Sequence, residues 1–261
     1  MNRRKALLLS AISAAALYVG NVYADALNNI KQSGTVRIAV LDDYPPWGFA
    51  GPGMKTVGFD IEFANLIGKK LGVNVTIVPT TGHNRIPFLQ TGKVDMIVAC
   101  LGKNAEREKA IDFSAPYGDE FNGVFGPASI KAKSPSDLVG KTVGVARGSS
   151  EDLVLTRMAP PGTNILRFED GSGSVQAYYS GQVDLIAIGS TVVNSVQRHT
   201  SPRKLEFKVM LADEPTYVGV NKNEPQLLAA VNKIIADAKQ DGSLSALSQK
   251  WFGVPLSDKL K

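Results

Sequence analysis

Arg107 lies in a segment whose composition suggests a ligand-binding site. Residues 93–117 are typical of a buried strand, a loop and a short helix that carries this arginine. The loop, residues 100–104, follows the carboxyl end of the apolar strand, where open α/β sheets bind ligands. A guanidinium group is a planar fork that can hold a carboxylate by two hydrogen bonds. From the residues alone, Arg107 is either a surface-accessible cleft residue that binds a carboxylate or a solvated member of the charged run at residues 106–109.

Arg85 and a pair of serines are further candidates for anion binding. Arg85 precedes a short helix, and it is either a second arginine of the same cleft or a surface residue that caps a loop. Two arginines in one cleft would favour a ligand with more than one anionic group. Ser149 and Ser150 follow a strand and a glycine turn at Gly148. Either serine could cap a following helix, and the N-terminus of a helix favours anions.

The elements that position these residues alternate between strands and helices, which predicts an α/β fold. Apolar runs predict strands at residues 36–40, 73–78, 95–99, 143–146, 183–188 and 216–220. Helical periodicity predicts helices at residues 60–71, 86–90 and 175–179, and from Pro225 to Gly242. The chain shows no repeat of fixed period and no low-complexity tract.

The first 24 residues are typical of a secretory signal peptide that is cleaved after Ala24. Arg3, Arg4 and Lys5 precede an apolar stretch that is too short to span a membrane comfortably, and small residues occupy the cleavage positions at its end. The alternative is an uncleaved membrane anchor. No lipobox cysteine is present, because Cys100 is the single cysteine of the chain. We therefore expect a soluble protein of the periplasm.

Charge and composition argue against several other classes of function. Of the 29 basic and 24 acidic residues, the signal peptide contains three basic ones and no acidic one, so the mature net charge is 26 − 24 = +2. Because no long basic run remains, nucleic-acid binding has little support. His83 and His199 are the only histidines of the sequence and lie far apart in it, and no nucleotide-binding glycine motif occurs. We therefore expect neither a metal site nor a cofactor.

Three stretches resemble the periplasmic polar amino-acid-binding proteins of ABC importers, the bacterial solute-binding protein family 3. They are residues 93–117, residues 84–95, and a C-terminal pair at residues 241–244 and 250–253. The second stretch, which contains Arg85, is similar to the glutamate/aspartate-binding branch of that family. The resemblance implies a monomer that captures a small carboxylate-bearing solute, with a polar or acidic amino acid favoured, and delivers it to an inner-membrane ABC permease.

The resemblance also implies a two-lobed periplasmic-binding-protein fold of type II, in which two α/β lobes are joined by two crossing strands. Lobe 1 would comprise residues 25–120 and 216–261, and lobe 2 would comprise residues 121–215. The crossings would fall near residues 120–122 and 212–216. The lobes would close on the ligand by a hinge motion.

Several residues acquire a ligand-binding role from the resemblance. Arg107 would bind the ligand carboxylate, and Arg85 would help to hold a second acidic group. Tyr44, in a loop stiffened by the two prolines that follow it, would stack over the ligand side chain. The serine pair after the glycine turn would add donors to the carboxylate. Cys100 is either a lining residue of the site or a small buried apolar residue.

Gly102 and Gly189 depart from the family pattern. The family has a serine or threonine where this chain has Gly102, and where it has Gly189 the family has an aspartate that binds the α-ammonium group of the ligand. An ammonium group buried without an acidic partner costs several kcal/mol. Either Asp42, Asp43 or Glu151 replaces the missing aspartate, or the ligand is an organic acid without an amine.

An enzyme similar to the cyclohexadienyl dehydratases, which use the same two-lobed scaffold, is a further alternative. Such an enzyme needs an acid in its cleft to protonate a leaving hydroxyl group. The sequence does not single out one acidic residue for that role. We therefore expect a binding protein and not an enzyme.

Overall fold

The computed structural model describes residues 26–197 and 203–260. The predicted signal peptide and its cleavage position after Ala24 lie outside the described residues. In the first part of the chain, short helices and strands alternate. They are α1 Ala26–Ser33, β1 Thr35–Leu41, β2 Asp43–Tyr44, β3 Gly48–Ala50, β4 Thr56–Val57, α2 Phe59–Leu71, β5 Asn74–Thr80, α3 Arg85–Gln90, β6 Met96–Gly102 and α4 Ala105–Ala110.

In the second part of the chain, the first strand and the last strand are long. Its elements are β7 Ile111–Gly126, β8 Thr142–Ala146, α5 Ser150–Met158, β9 Asn164–Phe168, α6 Gly171–Tyr179, β10 Leu185–Gly189, α7 Ser190–Gln197, β11 Glu206–Asn221, α8 Pro225–Gln240 and α9 Ser243–Phe252. Three short 3₁₀ turns, Pro52–Met54, Pro135–Leu138 and Asp258–Leu260, complete the described elements.

Eight of the strands form one mixed sheet in the order β5–β1–β6–β11–β7–β10–β8–β9. β1 pairs in parallel with β5 and β6, and β8 pairs in parallel with β9 and β10. β7 and β11 lie between these two parallel groups and pair with each other in antiparallel fashion. This is the expected two-lobed α/β fold of type II, with β7 and β11 as the crossing strands.

Each lobe packs its own helices on its part of the sheet. The first lobe contains β1–β6 with α1–α4, α8 and α9, and the second contains β8–β10 with α5–α7. The residue limits given above for the two lobes stay a prediction. Both predicted crossings, residues 120–122 and 212–216, lie within the two 16-residue crossing strands.

The register of the crossing strands places two acidic residues directly opposite each other. Glu120 on β7 pairs with Glu214 on β11. Directly opposed residues of an antiparallel pair project from the same face of the sheet. Both side chains therefore point to the same side of the two crossing strands.

Two sequence predictions of the element ends are wrong. Residues 100–104 were expected to be a loop, but β6 continues to Gly102, because Leu101 and Gly102 pair with Tyr217 and Thr216 of β11. The strand predicted at residues 216–220 is only the end of the much longer β11. In both cases the strand partners lie 80 or more residues away in the sequence, so local patterns do not reveal the pairing.

An aromatic cluster in the first lobe includes Trp47, Phe59, Phe63 and Tyr117. The rings of Phe63 and Tyr117 stack with centroids 4.6 Å apart, and Trp47 meets Phe59 edge-on at 5.3 Å. Trp47 is fully buried, and its indole N–H donates a hydrogen bond of 2.8 Å to Oγ1 of Thr191 on α7. The core of the first lobe is thus joined to a helix of the second.

None of the helices within the described ranges combines the length and apolar character needed to cross a membrane.

Candidate ligand-binding site

A small cavity lies between the lobes, beside the crossing strands. It encloses about 40 Å³, which leaves room for a few water molecules. Its charged lining residues are Asp43, Arg85, Glu120, Glu151, Asp170 and Glu214. Of the predicted ligand-binding residues, the cavity is lined by Arg85, Tyr44, Cys100, Gly102, Ser149 and Ser150. The remaining two, Arg107 and Gly189, donate hydrogen bonds to lining residues.

Arg107 is buried, which corrects the expectation of a surface-accessible side chain. The N-cap of its helix is Asn104, whose side chain accepts a hydrogen bond from the Arg107 backbone N–H at 2.9 Å. Nη1 of the guanidinium donates to the Gly102 carbonyl at 2.7 Å and to Oγ of Ser150 at 3.1 Å, and Nη2 donates to the Gly148 carbonyl at 3.1 Å. Because Gly148 and Ser150 belong to the second lobe, the arginine links both lobes at the edge of the cavity.

Burial lowers the pKa of Arg107 to about 9, and the charge of Arg85 acts in the same direction. The charges of the two guanidinium groups therefore affect each other, and an anion bound beside them would be stabilised. Ser149 is the N-cap of α5 and accepts from the Asp152 N–H at 3.1 Å, so its hydroxyl is engaged in the helix. Ser150 is the serine whose hydroxyl meets Arg107.

Arg85 is also buried and holds the end of β6. Its Nη1 donates to the carbonyls of Ala99 and Cys100 at 2.7 and 3.3 Å, and its Nε donates to the Gly82 carbonyl at 2.9 Å. These bonds use part of the guanidinium for structure. Within the described residues Nη2 has no hydrogen-bond partner, so one edge of the group remains available to the cavity.

The Tyr44 hydroxyl bridges the lobes. It donates to Oε1 of Glu151 at 2.8 Å and accepts from the Gly189 backbone N–H at 2.9 Å. Both partners lie in the second lobe, whereas Tyr44 follows β1 of the first. The sequence predicted a ring that stacks on a ligand, and the structure adds a hydroxyl that ties the two lobes together.

Glu120 occupies the space that a side chain at position 189 would need. A Cβ atom built on Gly189 would lie 2.2 Å from the Glu120 carboxyl carbon. The carboxylate accepts from the Thr191 backbone N–H at 3.0 Å and from the Thr191 hydroxyl, and the Cys100 thiol approaches its other oxygen at 3.5 Å. A carboxylate from β7, the strand paired with β10, therefore fills the space beside Gly189, and the sequence analysis did not name Glu120 as a site residue.

Glu214 has the same relation to Gly102. A Cβ atom at position 102 would lie 2.4 Å from Oε2 of Glu214 and 2.8 Å from Oγ of Ser150. The side chain that the family has at this position is thus replaced by a carboxylate from β11. Each glycine that departs from the family pattern is matched by a glutamate of a crossing strand, and these two glutamates are the opposed pair of the β7–β11 register.

Both carboxyl groups are held where water does not reach them well. Burial and, to a smaller extent, the nearby charge of Glu151 raise the pKa of Glu120 to about 7. The Thr191 hydroxyl acts in the opposite direction, because it favours the ionised form. Burial also raises the pKa of Glu214, against the opposing effects of the Ser150 hydroxyl and of Arg107. A cation that entered the cavity would stabilise the ionised form of either group.

Four buried side-chain oxygens that line the cavity have no hydrogen-bond partner within the described residues. They are Oδ1 of Asp43, Oδ1 of Asn122, Oε2 of Glu214 and Oγ1 of Thr216. Three of the four can only accept hydrogen bonds when the acids are ionised, and the fourth is a hydroxyl that can also accept. The cavity therefore presents unsatisfied acceptors, which a ligand rich in N–H donors would satisfy.

The acids proposed from the sequence as substitutes for the missing aspartate have different fates. Asp42 is exposed and does not line the cavity, so that prediction is wrong. Asp43 lines the cavity, but one of its oxygens accepts from the Gly171 N–H at the start of α6. Burial raises the pKa of Asp43 to about 6. Glu151 also lines the cavity, and its carboxylate accepts from Tyr44.

Cys100 has a backbone conformation that is rare for a residue with a side chain. Its φ angle is +44°, in the left-handed region, and its N–H donates to Oδ2 of Asp60 at 2.9 Å. Strained residues of this kind are found mostly at functional sites, where surrounding contacts hold them. Burial raises the pKa of the thiol well above its usual range, so Cys100 acts as a neutral lining group.

The two parts of the chain that the structure describes contain no group of three or more histidine, cysteine, aspartate or glutamate side chains arranged to hold a metal ion.

An aspartate at position 189 is expected to destabilise the protein. Gly189 has a φ angle outside the left-handed region, so steric and charge conflict with Glu120 is the main obstacle. Overpacking alone costs about 1–3 kcal/mol, and the like charges add to it. We expect Gly189→Asp to lower the melting temperature by roughly 6 °C or more in calorimetry.

The double variant Gly189→Asp/Glu120→Ala is the matched control. It moves the acid from β7 to β10 and removes the clash, so it should regain at least half of the lost stability. Losses that simply add in the double variant would show that the two side chains do not compete for one space.

Comparison with known proteins identifies the family. The model of the bacterial extracellular solute-binding proteins, family 3, matches residues 36–254. The chain belongs to this family. The L-cystine-binding protein TcyJ of Escherichia coli (strain K12) is 31% identical over 260 residues, covering 95% of this chain and 96% of that protein. As a family 3 protein, the chain is a solute-binding protein of ABC transport and not an enzyme.

Solved structures agree with this assignment. A mutant of ArgBP from T. maritima superposes with a TM-score of 0.81 at 29% identity and covers 87% of this chain and 99% of that chain. The ancestral amino acid-binding protein AncCDT-1, a precursor of cyclohexadienyl dehydratase, has a TM-score of 0.80 at 31% identity and covers 88% of this chain and 100% of that chain. The family 3 solute-binding protein thus has the fold of amino-acid-binding proteins across nearly its whole described length.

Proposed function

We propose that this protein captures an amino acid in the cavity between its lobes, in the periplasm, and delivers it to the permease of an ABC importer. The observation that carries the proposal is the Glu120 carboxylate, which fills the space beside Gly189 and so restores an acceptor for an α-ammonium group. The named ligands of similar proteins, L-cystine for TcyJ and amino acids for AncCDT-1, support the same class of solute.

The carboxylate of the amino acid would bind where Arg107 meets the start of α5. The guanidinium lies beside the Ser150 hydroxyl, and α5 presents its N-terminal backbone N–H groups at the same place. A guanidinium fork and a helix N-terminus both favour a carboxylate. At the other end of the site, Glu120 would accept from the ammonium group.

The alternative that the ligand is an organic acid without an amine has lost its main support. It depended on the absence of an acid to receive an ammonium group, and Glu120 now supplies one. An acidic amino acid is also a poorer match than Arg85 alone would predict. Five carboxyl groups line the cavity, and they outnumber the two nearby arginines, Arg85 in the lining and Arg107 behind it. A second ligand carboxylate without an ammonium group beside it would be repelled by most of these groups.

Hinge closure would trap the amino acid. The cavity in this conformation is too small for an amino acid, and bonds such as Tyr44–Glu151 and Trp47–Thr191 hold the lobes together. The hinge would lie in β7 and β11, the two strands that join the lobes. A ligand that bridges the arginines and Glu120 would favour the closed state by its contacts with both lobes.

The test is a thermal-shift and calorimetric screen with ligands that differ in their amine. L-cystine should be compared with 3,3′-dithiodipropionate, which lacks both amino groups, and L-lysine with 6-aminohexanoate, which lacks the α-amino group. We expect stabilisation by at least one L-amino acid of a wider panel and none by its amine-free analogue, since a ligand of the folded state raises the melting temperature by mass action. Stabilisation by organic acids, with none by any amino acid, would refute the proposed function.

A further inference from the structure

The opposed glutamates of the crossing strands have no salt-bridge partner within the described residues. Glu120 and Glu214 face the same side of the β7–β11 ladder, and like charges directly opposite each other destabilise a sheet. The structure gives no ion pair to either carboxylate within the described residues. Each of these carboxylates is therefore a place where a cation from outside the chain could bind.

The two glutamates serve different corners of the cavity. Glu120 lies in the notch beside Gly189, next to the Tyr44 hydroxyl at 3.5 Å. Glu214 lies in the notch beside Gly102, next to Oγ of Ser150. In the proposed binding mode one α-ammonium group engages Glu120, so it leaves Glu214 without a cation.

Unsatisfied acceptors surround the second corner. Oε2 of Glu214 and Oγ1 of Thr216, two residues further along β11, are both buried without a partner within the described residues. A buried acceptor that stays unpaired is destabilising. An ammonium group brings three donors and no acceptor, and a guanidinium group brings five donors, so either would satisfy this arrangement.

The charge balance of the site points in the same direction. Five carboxyl groups line the cavity, against one lining arginine and Arg107 directly behind it. A simple zwitterionic amino acid adds no net charge, and it satisfies one acid and one base. We infer that Glu214 binds a second cationic group of the solute, so that the solute is an amino acid with two ammonium or guanidinium groups.

This inference rests on the proposed function and names the solute class for the same cavity. Two kinds of amino acid could supply the second cationic group, and both would donate hydrogen bonds to Glu214. It is either the side-chain cation of a basic amino acid, such as L-lysine, or the second α-ammonium group of a double-headed amino acid, such as L-cystine. Binding of one probe and not the other distinguishes these sources.

The experiment is calorimetric titration of the wild-type protein with L-lysine, L-cystine and L-norleucine, which has the chain length of lysine without its ammonium group. We expect L-lysine or L-cystine to bind at least about 30-fold more tightly than L-norleucine, as a charge-assisted hydrogen bond to a buried acid implies. Glu214→Gln should remove most of that preference, because it weakens the binding of L-lysine or L-cystine.

Two further variants keep the result interpretable. Asp213→Asn changes the neighbouring residue of β11, which is exposed and pairs with Lys259, and it should leave all affinities unchanged. Glu214→Ala removes the carboxyl group without requiring a new hydrogen bond, and it should reproduce Glu214→Gln. The melting temperature of each variant shows that the fold is retained.

The outcomes separate the inference about Glu214 from the proposed function. Tight binding of L-norleucine or L-glutamine, equal to that of the two-cation probes, would overturn the inference while the proposed function stands. Unchanged selectivity in Glu214→Gln and Glu214→Ala would also overturn it. If no amino acid binds at all, the proposed function itself fails.

Discussion

Replacing Glu120 with glutamine is expected to make the ligand-free protein more stable at pH 8 and, at the same time, to remove its ability to bind an amino acid. Burial raises the pKa of Glu120 from its usual 4.5 to about 7. Between these pH values the folded protein keeps a proton that the unfolded chain has released, so folding stability falls as the pH rises through this window. At pH 8 the loss is about 3 kcal/mol.

Glutamine does not ionise, and its amide oxygen can still accept from Thr191. We therefore expect Glu120→Gln to melt roughly 6–12 °C above the wild type at pH 8 and within a few degrees of it at pH 5. Calorimetric scans at both pH values measure this. Titration with L-cystine and L-lysine should show at least a 100-fold loss of affinity for whichever of them the wild type binds, because the buried ammonium loses its charged partner.

Glu106→Gln is the control for the pH effect, because this glutamate is exposed on α4. Its melting temperature should follow that of the wild type at both pH values. If Glu120→Gln also kept the wild-type pH dependence, Glu120 would not be the buried acid that limits stability above neutral pH. If it bound the same amino acids with unchanged affinity, Glu120 would not be the ammonium acceptor.

Arg107→Lys is expected to reduce affinity for the bound amino acid by at least 100-fold. Lysine keeps the positive charge but offers no planar fork, so the two-point grip on a carboxylate is lost. The bonds from Arg107 to the carbonyls of Gly102 and Gly148 are also lost in part. Each unpaired carbonyl costs about 1–3 kcal/mol, so the melting temperature should fall as well.

Arg107→Ala should abolish binding and destabilise the protein more than Arg107→Lys. This differs from what an accessible arginine would do, since such a residue could be removed with little effect on the fold. Lys109→Ala, an exposed residue on the same helix, is the matched control and should change neither property. Wild-type affinity in Arg107→Lys, measured by titration with the same amino acid, would place the carboxylate elsewhere.

Most helices and strands could be predicted from the sequence, because each depends on local pattern, whereas the two lobes were implied by the family resemblance. Periodicity located α2 and α8 within a few residues, and apolar runs located β1, β6 and β8. The full length of β7 and β11 could not be predicted in this way. Their pairing joins residues about 100 positions apart, and β7 contains polar residues that have no local strand signature.

The candidate site shows a similar division between local and distant information. Arg85, Arg107 and the serine pair could be placed near one cavity because short motifs mark them. Glu120 and Glu214 were missed, although both lie in the stretches predicted to cross between the lobes. The signal that could have found them is an acid in each crossing strand together with a glycine at each position where the family has a polar side chain.

The bond between Trp47 and Thr191 gives this protein a built-in optical signal. The indole of Trp47 is fully buried, and its N–H is held by a residue of the other lobe. In the proposed hinge motion, opening would separate the ring from that partner and expose it to water, and tryptophan fluorescence would then shift to longer wavelength. Trp251, the second tryptophan of the chain, is half-buried on α9 of the first lobe and lines a cavity together with Thr191 of α7. The proposed opening and closing could thus be followed in the unlabelled protein. Capture of a solute would then shift the wavelength of the protein's tryptophan emission.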